Sequence, residues 1–331
     1  MARIFVSWPD YSPNDPETGA RLTAAGHELL IFPKVGARSE KELLSLIRGC
    51  VAAIVSTDPF TATVITSTPS LRFIARVGVG TDSIDLAAAN AHGVGVSVTP
   101  GLNAEPVADH TLALMLALIR RVVPQDLGVK SGRWDRVGPN TPSELPAKTV
   151  GLIGAGTIGR AVMRRLSGFD VKLIFLDAFV SGVEQATKIE SLEELLTLSD
   201  IVSLHCPLTG ETRGLLNAKT LRLMKSTAFL INTARGPLVD QEALFAALRK
   251  GSIAGAGLDV FAEEPPDPVA LSDVPNLITS AHIGGLSRES IRRMTISATD
   301  SVLVLLEGRI PATLINRHAL NRWHMNAEPP L

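Results

Sequence analysis

The stretch Thr149-Val-Gly-Leu-Ile-Gly-Ala-Gly-Thr-Ile-Gly159 joins a strand-like apolar run to a helix-like one through a glycine-rich turn. Such a turn suits a pyrophosphate. Gly154 permits the tight reversal, Gly156 lets a phosphate approach the backbone, and Gly159 lets the following helix pack close to the sheet. The start of that helix, Thr157-Ile158, adds free N–H groups and a partial positive charge. Asp177 ends the next apolar run, about 20 residues further on, where a carboxylate can accept hydrogen bonds from an adenosine ribose. The glycine spacing alone is weak. Bounded by strand, helix and acid, it predicts a dinucleotide site.

Three later stretches place polar residues just after strand-like runs. Asn232-Thr-Ala-Arg-Gly-Pro-Leu-Val-Asp240 carries Arg235, Leu258-Asp-Val-Phe-Ala-Glu-Glu-Pro265 carries Asp259, Glu263 and Glu264, and Ser280-Ala-His-Ile-Gly-Gly285 carries His282. Ligands of open α/β sheets bind outside the carboxyl ends of the strands, so all three are expected to converge on the cofactor. Taken singly, an arginine after a strand, a glutamate before a proline or a histidine before two glycines is more often a surface or turn residue.

The elements that must position these residues follow from the alternation of short β-branched runs with helical patterns. Strands are expected at Arg3–Ser7, Glu28–Phe32, Ala52–Ser56, Phe73–Arg76 and Val94–Val98. A second set is expected at Thr149–Ile153, Lys172–Asp177, Ile201–His205, Phe229–Asn232, Ala256–Asp259 and Leu277–Thr279. Helices are expected over Ala104–Arg121, Ser191–Leu198 with a capping box Ser191…Glu194, Asp240–Lys250 before Gly251, and Arg288–Glu307 before Gly308. This order predicts βαβ units and parallel sheets. A length of 331 residues fits about two domains. Because the fingerprint starts mid-chain, one domain must precede it, with a boundary near Thr99-Pro100-Gly101, and the last helix returns to that first domain. The expected division is residues 1–99 with 286–331 around an insertion of residues 100–285, chemistry being expected in a cleft between the two. Few apolar residues follow Arg317, so the tail is expected to be poorly ordered.

Composition narrows the classes. Thirty-two basic and 33 acidic residues leave a formal charge of −1, which argues against broad nucleic-acid or anionic-membrane binding. Cys50 and Cys206 have no paired spacing that resembles a zinc or redox motif, and no metal site is expected. The N-terminal run breaks at Pro9, before a signal-peptide core could form, and the run Leu112–Ile119 is far short of a bilayer span. A cytoplasmic protein is expected.

In order along the chain, Asn103–Asp109, Gly154–Gly159, His205-Cys-Pro-Leu-Thr209, Asn232–Asp240, Asp259–Pro265 and His282–Gly285 closely resemble the D-isomer-specific 2-hydroxyacid dehydrogenases, over nearly all of the chain to about residue 310. The resemblance implies a Rossmann NAD-binding domain inserted into a flavodoxin-like substrate domain, both doubly wound parallel α/β sheets. It implies Arg235, Glu264 and His282 as the catalytic set. His282 would be base in oxidation and acid in reduction, Glu264 would orient its ring, and Arg235 would bind and polarise the 2-oxoacid. It further implies NAD contacts at Gly154, Gly156, Thr157, Ile158, Gly159, Asp177, His205, Cys206, Pro207, Thr212, Thr233, Ala234, Arg235, Asp259, His282, Gly284 and Gly285. Asp259 would meet the nicotinamide amide, or else cap a turn; Cys206 reads as a small apolar residue rather than a nucleophile. Arg76, Val79 and Gly80 are the implied substrate-binding residues besides Arg235 and His282, and a homodimer built partly on the helix from Ala104 is expected.

Asp177, followed by Ala178-Phe179 with no adjacent cation, favours NAD over NADP. Arg76 resembles the phosphoglycerate dehydrogenase branch, so a 3-phosphoglycerate-like substrate is the first expectation. The chain is expected to lack the regulatory domain found in some members of that branch. Glyoxylate/hydroxypyruvate reduction, phosphite oxidation and an NADH-sensing corepressor-like role are the alternatives. Ala281, Asp109 and Pro237 stand where the family more often has proline, glutamate and glycine, which bears on substrate preference rather than reaction class.

Overall fold

The structure, a computed structural model, describes residues 1–36, 38–138 and 141–322. It divides into two compact units, one formed by Met1–Asn103 with the described residues from Ser287 on, the other by Ala104–Leu286. The part of the tail beyond Arg322 lies outside the described residues.

The first unit holds a five-stranded parallel sheet of β1 (Arg3–Val6), β2 (Glu28–Ile31), β3 (Ala52–Val55), β4 (Phe73–Arg76) and β5 (Gly95–Ser97), in the order β2-β1-β3-β4-β5. All of β3 is buried, as expected of a parallel strand covered on both faces. Period-two alternation then sorts the side chains. Ile4, Val6, Ala52, Ile54, Phe73 and Ala75 share one core with Met294, Ala298, Val302 and Leu305 of the helix Arg288–Leu306. Phe5, Ala53, Val55, Ile74 and Val96 face the other, with Leu43, Ile47 and Val64. That long helix starts in a reciprocal cap between Ser287 and Ser290 and stops before Gly308, whose φ is 76°. At the strand-order reversal between β1 and β3, the buried Asp58 accepts from Arg38 Nε at 3.0 Å and from the Ser7 hydroxyl, joining the loops that follow the strands.

The second unit holds a seven-stranded parallel sheet of β6 (Thr149–Ile153), β7 (Lys172–Leu176), β8 (Ala186–Lys188), β9 (Ile201–Leu204), β10 (Phe229–Asn232), β11 (Gly255–Leu258) and β12 (Leu277–Thr279). Its order is β12-β11-β10-β9-β6-β7-β8. The chain therefore reverses direction across the sheet between β6 and β9, the point where such sheets bind dinucleotides. On one face Leu112, Met115 and Ile119 of the helix Ala104–Ile119 meet Val162 and Leu166 of the helix Thr157–Leu166, over Val150, Leu152 and Phe175. Asp109 and Glu105 pair with Arg165 across the same two helices, at 2.6 and 2.8 Å. The opposite face is covered by Leu195, Leu196, Leu244, Phe245 and Leu248.

Among the described residues, β8 and a helix over Val122–Lys130 are additional to the elements named from the sequence, as are short helices such as Gly19–Ala24, Glu40–Leu46, Ala62–Thr66 and Leu86–His92. Several strands also end one residue early, leaving Ser7, Asp177, His205 and Asp259 just beyond the ladder. These residues turn their polar side chains to the loops at the carboxyl edge. Ser191 caps its helix by accepting from Glu194 N–H at 3.1 Å, which is the forward half of the expected capping box.

Candidate active site

Six loops of the second unit leave the same carboxyl edge. After β6, Gly154 takes φ 102°, and a Cβ there would lie 2.6 Å from the backbone of His205 and Cys206. The turn is thus packed directly against the loop after β9. A Cβ on Gly159 would lie 2.2 Å from the Gly154 carbonyl oxygen, so this glycine lets the helix close on the turn. Gly156 differs, since a Cβ there would meet no protein atom within 4 Å. Its lack of a side chain serves no internal packing and leaves room for a ligand at the N-terminus of the helix Thr157–Leu166, whose first amides have no intrahelical acceptors. Asp177 lies beside this cradle, accepting from Ala155 N–H at 2.7 Å and from Phe179 and Val180 N–H at 2.8 and 2.9 Å. Partial burial pushes its carboxyl up, but these three amides outweigh that and hold it below the ordinary carboxylate range. The acid is therefore ionised at neutral pH. The residues present fit a dinucleotide.

After β9, His205 bonds Ser203 Oγ through Nε2 at 2.8 Å, while burial drives its pKa down to about 3. It is a neutral spacer in the cradle wall. Burial pushes the Cys206 thiol up to about 11, which removes it as a nucleophile at neutral pH. Thr212 donates to the Pro207 carbonyl at 2.7 Å and folds the rest of this loop back on itself.

After β10, the buried Asn232 accepts from Ala234 N–H at 3.0 Å and donates to the Arg235 carbonyl at 2.8 Å. Thr233 bonds the Thr111 hydroxyl at 2.8 Å. Arg235 is held at the bend, with Nη1 donating to the Ala234 carbonyl at 2.6 Å. The next residue must be glycine, because a Cβ on Gly236 would lie 1.8 Å from the Phe261 carbonyl oxygen. This contact seats the Arg235 loop on the loop that carries Glu264.

Glu264 and His282 meet, with Nδ1 2.7 Å from Oε2. The other Glu264 oxygen accepts from Phe261 N–H at 3.1 Å. Burial raises the Glu264 carboxyl, but the hydrogen bond and charge of His282, aided by Phe261 N–H, outweigh it and leave the acid below its usual range. An ionised carboxylate only accepts, so Nδ1 of His282 carries the proton it donates. In the neutral ring Nε2 then holds the lone pair that can take a proton from a hydroxyl, and in the imidazolium it is the atom that gives one back. His282 itself sits at φ 53°, a left-handed conformation that side chains rarely adopt.

That conformation is fixed by Asp259, which is 1% exposed. Its carboxylate accepts from Ser280 Oγ at 2.6 Å, Ile283 N–H at 2.9 Å and Gly284 N–H at 2.8 Å, and its carbonyl accepts from His282 N–H at 2.8 Å. Of the two roles expected for Asp259, the turn-holding one is the one its bonds display. A Cβ on Gly284 would approach the carboxylate to 2.8 Å, which explains that glycine. His110 completes the cluster with Nε2 2.7 Å from Ser280 Oγ. Sequence reasoning did not single out His110; it sits on a helix opening with no glycine, strand end or paired acid to mark it.

In the first unit, Arg76 donates through Nε to the Gly80 carbonyl and through Nη1 to the Val77 carbonyl at 3.0 Å. Its guanidinium thus bridges the loop that follows β4. Val79, at the tip of that loop, is 40% exposed. Among the described residues no group of three or more histidine, cysteine or acidic side chains could hold a metal ion, and no helix is long and apolar enough to cross a membrane.

Comparison with known proteins places this arrangement. Residues 112–284 match the family described as D-isomer specific 2-hydroxyacid dehydrogenase, NAD binding domain. A glyoxylate reductase of Thermofilum pendens is 42% identical over 295 residues, covering 85% of this chain and 86% of that protein. The crystal structure of the TT0316 protein from Thermus thermophilus superposes with a TM-score of 0.86 at 38% identity, covering 95% of this chain and 99% of that one. An NADPH-dependent glyoxylate/hydroxypyruvate reductase of Sinorhizobium meliloti, in complex with NADP and malonate, gives a TM-score of 0.84 at 30% identity, covering 96% and 98%.

Proposed function

Because the chain belongs to the D-isomer-specific 2-hydroxyacid dehydrogenases, an oxidoreductase family acting on CH–OH groups through an NAD-binding domain, we propose that it reduces glyoxylate or hydroxypyruvate with NADH. The observation that carries this reading is the His282–Glu264 pair, oriented so that Nε2 is the proton-transferring atom. In the reductive direction protonated His282 gives its Nε2 proton to the carbonyl oxygen as the alkoxide forms, and Glu264 holds the ring throughout. Arg235 binds the substrate carboxylate and polarises the reacting carbonyl through its fork of N–H donors. A bound nicotinamide dinucleotide would supply the hydride for the carbonyl carbon. Gly156, the start of the helix Thr157–Leu166 and Asp177 hold the dinucleotide, and the negative charge of Asp177 disfavours a 2′-phosphate. The remaining implied contacts, from Thr157 and Ile158 through His205, Thr212, Thr233 and Ala234 to Gly284 and Gly285, complete the proposed NAD site, and Val79 and Gly80 the proposed carboxylate loop.

A phosphoglycerate-type substrate, the first expectation, has no support among the relatives, and Arg76 serves its own loop through two carbonyls. A small uncharged substituent at C2 therefore suits this chain better than a phosphorylated one. A second copy of the chain is the proposed partner, because Val122, Leu127 and Trp134 lie 53%, 59% and 75% exposed. A cytoplasmic setting fits the two free thiols, Cys50 and Cys206.

The test is a panel of 2-oxoacids with NADH, followed by absorbance. Glyoxylate or hydroxypyruvate should give the highest kcat/KM, with 3-phosphohydroxypyruvate far below. The reverse order would overturn the substrate assignment, and NADH binding without turnover of any member would favour a sensor.

A further inference from the structure

We infer that His110, through Ser280 and Asp259, is a positioning residue that holds the His282 turn in its reactive conformation. The inference rests on the proposed role of His282. A non-glycine residue at the φ of 53° found at His282 is backbone-strained and persists only where its surroundings impose it. Ala281, the residue before it, has no ring to restrict the chain. What fixes the turn is Asp259: its carbonyl takes the amide of His282 itself, and its carboxylate takes the next two amides, Ile283 and Gly284. The imidazole that must transfer a proton is thus aimed by a carboxylate that never touches it.

Asp259 must itself be held, and its bonds form a directed chain. The carboxylate cannot donate, so the Ser280 hydroxyl gives its proton to Oδ1 at 2.6 Å. The Ser280 oxygen is then left as an acceptor for His110 Nε2 at 2.7 Å. This fixes the tautomer: His110 carries its proton on Nε2, and it also lies 3.4 Å from the same carboxylate oxygen. The chain runs from the helix Ala104–Ile119 through the end of β12 to the end of β11, so it fastens the loops bearing Glu264 and His282 to a rigid element. Polar chains of this sort fix one arrangement of their neighbours, and this one ends on the buried carboxylate of Asp259.

The magnitude expected is that of misplacing a reacting group by about an ångström, which costs up to about a hundredfold in rate. The experiment compares His110→Ala, His110→Gln, Ser280→Ala and His282→Ala by steady-state NADH oxidation with glyoxylate, together with NADH affinity by fluorescence and the melting temperature. His110→Ala and Ser280→Ala should lose about tenfold to a hundredfold in kcat, with the KM for glyoxylate and the Kd for NADH each within about twofold of wild type. His110→Gln, whose amide can still donate to Ser280, should recover most of the loss. The inference is overturned if His110→Ala keeps its kcat while His282→Ala is inactive, or if the glutamine variant is as slow as the alanine one. Should His110→Ala fail to fold, the contrast between His110→Gln and Ser280→Ala decides by the same criteria. Turnover by His282→Ala would instead remove the assignment of His282, and the positioning role with it.

Discussion

Replacing Glu264 by glutamine isolates what the carboxylate does for His282. The acid uses both oxygens, one on Phe261 N–H at 3.1 Å and one on His282 Nδ1 at 2.7 Å. Glutamine has one oxygen, so one of these two donors must face an NH₂ group, and the charge is gone in either case. Two unit charges about 4 Å apart at an effective dielectric of about 20 attract by about 4 kcal/mol. The histidine and glutamate side chains are 44% and 37% exposed, so solvent screens part of that interaction. A hydrogen bond to a charged group retains about 1.5–3 kcal/mol, which corresponds to about a 10- to 150-fold fall in kcat. Glu264→Gln should show this fall with glyoxylate and NADH, while NADH affinity stays near wild type because the Gly154–Gly159 turn and Asp177, the proposed pyrophosphate and ribose contacts, lie on other loops. A kcat within twofold of wild type in a folded protein would refute the orienting role of Glu264.

The fingerprint glycines should separate cleanly. Gly156→Ala should leave the melting temperature unchanged, since its Cβ meets no protein atom, and weaken NADH binding; Gly159→Ala should destabilise by about 1–3 kcal/mol in a urea melt, because its Cβ lands 2.2 Å from a carbonyl oxygen. Asp177→Ala should raise the kcat/KM ratio of NADPH to NADH, and an unchanged ratio would show that its charge does not set cofactor choice. The pH dependence of stability should report Asp259. Burial pushes its carboxyl up, but the bonds from His110, Ser280, Gly284 and Ile283 outweigh that and hold its folded value below the ordinary one. Its contribution is therefore fully present above the unfolded pKa of about 3.9 and lost as pH falls through the lower folded value. Asp259→Asn should flatten the acid limb of a stability curve measured by denaturant melts, and an unaltered limb would contradict the assignment.

Which features were legible in the sequence follows from how local their causes are. Gly154, Gly156 and Gly159 each answer a separate backbone demand, so their spacing announced the dinucleotide turn, and the parallel strands announced themselves as continuous apolar runs. β8 was missed because Ala186-Thr-Lys188 is short, polar and at a sheet edge, where pairing to β7 rather than hydrophobic pattern makes the strand. The helix Val122–Lys130 carries Pro124 and Gly128, which argue locally against a helix that nevertheless forms. The pairing of Glu264 with His282 came from family resemblance; its donor and acceptor assignment needed coordinates. His110 was illegible for a related reason, since the Ser280 hydroxyl it meets lies 170 residues away and no spacing rule reaches that far. Arg76 was read by residue type and resemblance as facing an anionic substrate; its bonds to the Val77 and Gly80 carbonyls of its own loop could not be read from the sequence.

The proposed reductase requires His282 to transfer the proton. The direct measurement is a single-turnover experiment with His282→Ala, saturated with NADH and mixed with glyoxylate, with NADH affinity determined on the same preparation. General acid catalysis contributes about 10²- to 10⁴-fold, so the hydride-transfer rate should fall by that amount while NADH binds as in wild type. A rate within a few fold of wild type would contradict proton transfer by His282 and require another acid at the carboxyl edge of the sheet.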